Sequence, residues 1–227
     1  MNISKREMDA YHATLTRLQG RARSSLERLI QAGLKIKPDM DDVEFIELVN
    51  KSMISVTLTY GDAAGSIALD FFDKTSGEHA SNTDLANVPM FVNTKYREQI
   101  AEFAAHNDIK ALEFLEMCGN LLESEVLQQA NRTTTNAGSR HGLKFARVPQ
   151  GNECEFCARL AANGFYFNKE GATRHYHDHC RCKVVAGKPG TQVGGYNPKE
   201  YYAKWLEYQE QQKRKQQEQD TDSNQSV

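Results

Sequence analysis

VPQGNECEFCARLAANGFYFNKEGATRHYHDHCRCKVV, residues 148–185, is the stretch on which the reading of this chain turns. It holds four of the five cysteines and three of the seven histidines, set out as Cys154-x-x-Cys157, nineteen intervening residues, His177-x-x-Cys180 and then Cys182. Zinc takes four nitrogen or sulfur ligands in a tetrahedron, and two ligands three positions apart on a turn fill one side of it. Cys154 and Cys157 form such a pair and have no local rivals. For the opposite side His177 and Cys180 are favoured, with Cys182 as the substitute, although His179 and Cys182 repeat the same gap. Residues two apart on an extended chain share a face, so Cys180 and Cys182 can also reach one ion together. A disulfide is disfavoured, because MNISKREMDAYH lacks the basic-then-apolar profile of a secretion signal. Cys118, far upstream, reads as a small core residue.

The rest of the 227-residue chain supplies the setting. A formal net charge of −2 implies no partner by itself, and no apolar run approaches bilayer length. The expectation is a protein made in a cytoplasm. Tyr11, Leu15, Leu18, Ala22, Leu26 and Leu29 step by three and four, which predicts a helix over 5–32 with Gly33 as its stop. Arg17, Arg21, Arg23 and Arg28 read as its solvated surface. Asp39 to Asp42 supply capping oxygens for a second helix, buried through Ile46, Val49, Met53, Val56 and Tyr60 and broken at Gly61. The small residues of AAGSIALDFFDK suit close packing in a third helix. Residues 75–89 read as a loop, 93–105 and 108–129 as two more helices, and 131–142, rich in Thr, Asn and Gly, as a connection.

Charge is uneven along the chain. Residues 126–152 carry Arg132, Arg140, His141, Lys144 and Arg147 with no acidic residue, and residues 171–198 set only Asp178 against four cations. Such a face suits phosphate or an acidic surface, but also ordinary solvation and the pairing of metal-bound thiolates. Past the cysteines a Gly- and Pro-containing linker leads to Asn197-Pro198, a helix start, and to an aromatic face of Tyr201, Tyr202, Trp205 and Tyr208.

These residues support a resemblance. Ala146 to Pro149 (ARVP), Cys154 to Cys157 (CEFC), Leu160 to Tyr166, and His177 to Cys182 followed by Val184-Val185 resemble the minor head proteins of tailed bacteriophages, the MuF-like head-morphogenesis group and especially its minor capsid branch. The match is good over 132–185 and weaker at YGDAAGSIALDFFD. It implies a virion component of the portal vertex or head interior, in multiple copies, touching portal or major capsid protein and non-specifically contacting packaged DNA. Relatives that carry enzymes do so in fused extensions, for which this sequence shows no motif, so no catalytic residue is expected.

The expected architecture is α+β and mainly α-helical. It has a helical region (1–130), a small zinc-binding module (131–186), a linker (187–196), a C-terminal helix (197–218) and a disordered tail (219–227). Within the module a helix is expected from Cys157 to Gly164, and 165–167 is expected to pair antiparallel with 181–185. The metal candidates are Cys154, Cys157, His177, Cys180 and Cys182, holding structural Zn2+. A zinc-dependent nucleic-acid-binding protein or nuclease is the alternative. A nuclease needs an open coordination position, which a closed four-ligand site denies it.

Overall fold

A computed structural model describes residues 1–87, 91–106, 112–151, 155–173 and 181–224. It is mainly helical, with two small two-stranded sheets. Helix α1 (Lys5–Ile36) opens on a reciprocal cap: Ser4 Oγ accepts from Glu7 N at 3.2 Å, and the Glu7 carboxylate accepts from Ser4 N at 2.8 Å. Helix α2 (Asp42–Ser76) repeats the device with Asp41 and Glu44, inside the acidic cluster where the sequence places a cap. Neither Gly33 nor Gly61 stops its helix. A Cβ on Gly33 would come within 2.5 Å of Leu48, so this glycine lets α1 approach α2 instead of ending α1. Gly61 is buried inside an unbroken α2, and the small residues that follow, Ala64, Gly65 and Ala68, are buried too. The Gly65 position faces Leu85 and Thr133 of neighbouring segments.

Helices α1, α2 and a later helix, α4 (Leu112–Arg140), pack on one another, and α3 (Phe91–His106) lies against α2 and α4. Tyr11 stacks on Phe71 with ring centroids 4.0 Å apart, and Phe114 meets both Phe45 and Phe103. On α1 the buried stripe is Met8, Tyr11, Leu15, Ala22, Leu26 and Ile30; Leu29 turns outward. Cys118 is a fully buried core residue of α4, and burial pushes its thiol up to about 12.

Helix α4 departs most from the sequence reading, because it runs through 131–140, where a connection was expected. The polar residues that suggest a loop find partners across the fold. Thr133 Oγ1 accepts from Ala86 N at 3.0 Å, Asn136 donates to the Asp84 carbonyl at 3.0 Å, and Arg140 pairs with the buried Asp84 at 2.6 Å. Tertiary hydrogen bonds thus override the local preference of Thr and Asn for turns.

After α4 comes β2 (Lys144–Val148), antiparallel to β3 (Lys183–Gly187) with Phe145 opposite Ala186 and Arg147 opposite Val184. Between them lie α5 (Glu155–Ala161) and α6 (Lys169–Thr173). The expected pairing of 165–167 with 181–185 does not form. Phe167 bridges Phe145 instead, and residues 183–187 take the other side of β2's ladder. The residues after β3 are woven into the fold: β4 (Gln192–Val193) pairs in parallel with β1 (Asn2–Ile3), and Gly194 lies so close to Lys5 that no side chain fits there. Helix α7 (Pro198–Asn224) then packs on α5. The largest core includes Ile3, Val49, Leu122, Ala146, Val185 and Val193, so α4 and the hairpin share one interior. Among the described residues no helix is long and apolar enough to cross a membrane.

Candidate metal centre

Cys157 lies in the first turn of α5 and Cys182 immediately before β3, twenty-five positions apart in sequence. The fold nevertheless brings them together as a buried pair, at 5% and 2% exposure, set apart from the two larger apolar cores. Cys154, His177 and Cys180 lie outside the described residues, as do His175 and His179. Among the described residues no group of three or more His, Cys, Asp or Glu gathers around one point.

Three supports fix the two cysteine segments; the sequence reading found the aromatic helix α7 but neither Asn131 nor Tyr196. The first is Asn131, buried on α4. Its amide nitrogen donates to the Cys182 carbonyl at 3.2 Å, while its amide oxygen accepts from Val184 N at 2.9 Å. One side chain therefore satisfies both backbone groups on the α4 side of β3's first turn, as a neighbouring strand would. The second is Tyr196, whose hydroxyl donates to the Ala161 carbonyl at 2.5 Å and pins the end of the Cys157 helix. The third is α7, where Tyr201 packs near Tyr196 with centroids 5.7 Å apart and Gln209 donates to the Glu155 carboxylate. The aromatic face expected at Tyr201–Tyr208 thus docks in part on the protein's own body, while Tyr202 and Leu206 remain exposed.

Two cations are buried in the same hairpin. Alternation along the strands puts Arg147 on the face shared by Val184 and Cys182, and Lys183 on the opposite face. Arg147 Nη1 donates to the Ala172 carbonyl at 3.1 Å; Lys183 Nζ donates to Gln150 Oε1 at 2.6 Å and to the Arg181 carbonyl at 3.1 Å. A buried cation is costly unless hydrogen bonds and negative charge surround it.

Some other described basic residues near the module are engaged within the fold: Arg132 pairs with the buried Glu125, Arg140 with Asp84, and His141 lies 3.3 Å from Glu78, while Lys144, Arg181 and Lys188 are exposed. His12 of α1 is buried near Lys183. Burial first, and the Lys183 cation second, push its pKa down to about 4, against a smaller opposing pull from Asp9. His12 lines a cavity of about 380 Å³ with Asp9, Gln150 and Tyr201. Polar runs in the sequence carry no signal that picks out Asn131 or His12, whose roles depend on contacts over fifty residues away.

No curated protein and no solved structure matches the chain. A protein family does match, over residues 2–208, which takes in the helical body, both cysteine segments and the start of α7. The family is described as VG15 protein, and the chain belongs to this family of phage proteins.

Proposed function

We propose that the chain is a structural minor capsid protein of a tailed-phage head, held at the portal vertex or in the head interior. Its Cys/His module is closed by one structural zinc ion. The observation that carries the metal reading is the meeting of Cys157 and Cys182, which joins the two halves of the sequence motif in one buried cluster. It favours Cys182 over Cys180 as the fourth ligand, beside Cys154, Cys157 and His177. A closed set of three thiolates and an imidazole around Zn2+ leaves a net negative charge, for which the buried Arg147 is a counter-charge.

Bound zinc contributes folding energy and cross-links α5 to β3. The protein's own residues do the rest. Asn131 ties β3 to α4, and α7 with Tyr196 holds α5 from the other side. This gives a stiff helical body with a stapled end, suited to docking on portal or major capsid protein in several copies, and no chemical step is assigned to it.

Two measurements test the reading. Mass spectrometry of gradient-purified proheads and mature heads should find the chain in a fixed ratio to portal protein; its absence from both refutes the head assignment. Freshly purified, reduced protein should hold about one zinc per chain, and Co2+ replacement should give thiolate charge-transfer absorption. Cys154→Ser, Cys157→Ser and Cys182→Ser should lose the metal and Cys180→Ser keep it. Retention by Cys157→Ser contradicts the site, and loss by Cys180→Ser with retention by Cys182→Ser reverses the fourth ligand.

A further inference from the structure

A run of exposed basic residues lies away from the cysteines, on the outer face of α1. Arg6, Arg17, Arg21, Arg28 and Lys35 are all exposed. At 1.5 Å and one-3.6th of a turn per residue they run along about 44 Å of helix within about 60° of arc. The acidic residues of α1 lie off this line. Glu7 is bound into the Ser4 cap, and Asp9 and Glu27 project about 60° to one side.

None of the five cations is in an ion pair with any described residue; the ion pairs of α1 use Lys5 and Arg23. Arg17 and Arg28 are steadied by donating to Thr14 Oγ1 at 3.2 Å and Ser25 Oγ at 2.9 Å. Those single bonds leave most of each guanidinium's five donors facing out. The middle three arginines line an open hollow of about 500 Å³ with Gly20, Ser24 and Tyr60, and Thr59 and Ser55 of α2 continue it past Arg28. No carboxylate lines either part.

We infer that this ridge is a binding surface for the phosphate backbone of double-stranded DNA, without sequence preference. Four of its five cations are arginines, whose planar fork matches phosphate in pairs of hydrogen bonds. The flanking Ser24 and Ser55 hydroxyls are neutral donors of the kind that accompany such contacts, while Thr59 donates to the Ser55 carbonyl and Ser25 and Tyr60 bond each other. An acidic protein partner fits less well. Protein interfaces are anchored by buried aromatic and apolar groups, whereas Ala10, Ala13, Gly20, Ser24 and Gln31 lie along the ridge and its borders. These residues allow close approach to a charged rod; the exposed Leu29 borders the hollow past Arg28, about 100° around α1 from that arginine. Extended, evenly signed charge is also the pattern that duplex phosphate, with one charge per about 1.7 Å of axis, complements over this length.

The inference stands apart from the head assignment: a chain that binds duplex DNA but is missing from particles fails only the latter. The test uses the full chain and fluorescence anisotropy of a labelled duplex, about 20 base pairs long, over a salt series. Five phosphate contacts predict a log–log slope of about −4 to −5. Combining Arg17→Gln, Arg21→Gln and Arg28→Gln should flatten it by about 3 and weaken low-salt binding at least tenfold. Removing the same charge from α7 with Lys213→Gln, Arg214→Gln and Lys215→Gln should leave both unchanged, and Arg-to-Lys at the three α1 positions should preserve the slope. Circular dichroism checks that every variant keeps its helices. Absence of binding by the unaltered chain, equal losses in the two Gln triples, a marked preference among duplex sequences, or tighter binding of polyglutamate than of DNA each overturns the inference.

Discussion

Replacing Asn131 tests the link between the helical body and the cysteine hairpin. Its amide makes two buried hydrogen bonds, at 3.2 Å to the Cys182 carbonyl and 2.9 Å from Val184 N, on a residue only 1% exposed. Asn131→Leu keeps the volume and leaves one donor and one acceptor of β3 unpaired. Each costs about 1–3 kcal/mol, so the loss should be about 2–6 kcal/mol, a large part of the 5–15 kcal/mol that usually holds a domain together. With a urea slope of about 2–3 kcal/mol/M, the midpoint should fall by about 1–2 M. Asn131→Asp separates the two bonds. A carboxylate can still accept from Val184 N, but it repels the Cys182 carbonyl and places a charge in the interior. Burial raises the folded pKa of that Asp, so its cost is fully present above the raised value and fades as pH falls toward the ordinary carboxylate range. The gap between Asn131→Asp and the unaltered chain should therefore narrow in mild acid, while that of Asn131→Leu should not. A Leu variant within about 0.5 kcal/mol of the parent would refute the bridging role.

Three further outcomes follow from the same geometry. His12 titrates near 6.5 when unfolded but only near 4 when folded, so between those values the unfolded state binds more protons and stability falls as pH falls. At most about 3 kcal/mol is at stake, fully present above pH 6.5; His12→Leu should remove this part of the pH dependence of urea unfolding, and an unchanged profile contradicts it. Gly138→Ala would set a Cβ 2.6 Å from Phe145 and 3.0 Å from Ala186, so it should destabilise by about 1–3 kcal/mol in thermal melts. Gly20→Ala on the open face of α1, with no atom within 4 Å, should stabilise by about 0.5–1 kcal/mol; if both behave alike, the approach of α4 to the hairpin is misplaced.

Periodicity and caps were legible in the sequence because they are local. Of the α1 stripe Tyr11, Leu15, Ala22 and Leu26 are buried and Leu18 is half-buried, and Asp41 caps α2 within the expected acidic cluster. The errors came where a residue serves a distant partner. Gly33 and Gly61 read as helix stops because glycine weakens a helix, but both lie inside unbroken helices, and the small size of Gly33 lets α1 approach α2. Residues 131–140 read as a connection because Thr and Asn compete with helix hydrogen bonds, until Ala86, Asp84, Cys182 and Val184 give those side chains somewhere else to bond. At the candidate site, spacing singled out the cysteines. It could not show that Cys182 meets Cys157, because that contact depends on the β2–β3 register. Of the cations beside the cysteines, for which an outward face and the pairing of thiolates were both open, Arg147 and Lys183 are interior while Lys144, Arg181 and Lys188 are exposed; on α1 the arginines read as ordinary solvated residues.

An electron-microscopy map of the intact particle decides whether the chain is a structural component of the phage head. A head component should show density for the three long helices α1, α2 and α4 at the portal vertex or on the inner face of the shell, in several copies, with the Arg17–Arg28 side of α1 turned toward the packaged genome. Density for this fold only on the tail, or only on the outer shell surface, would contradict it.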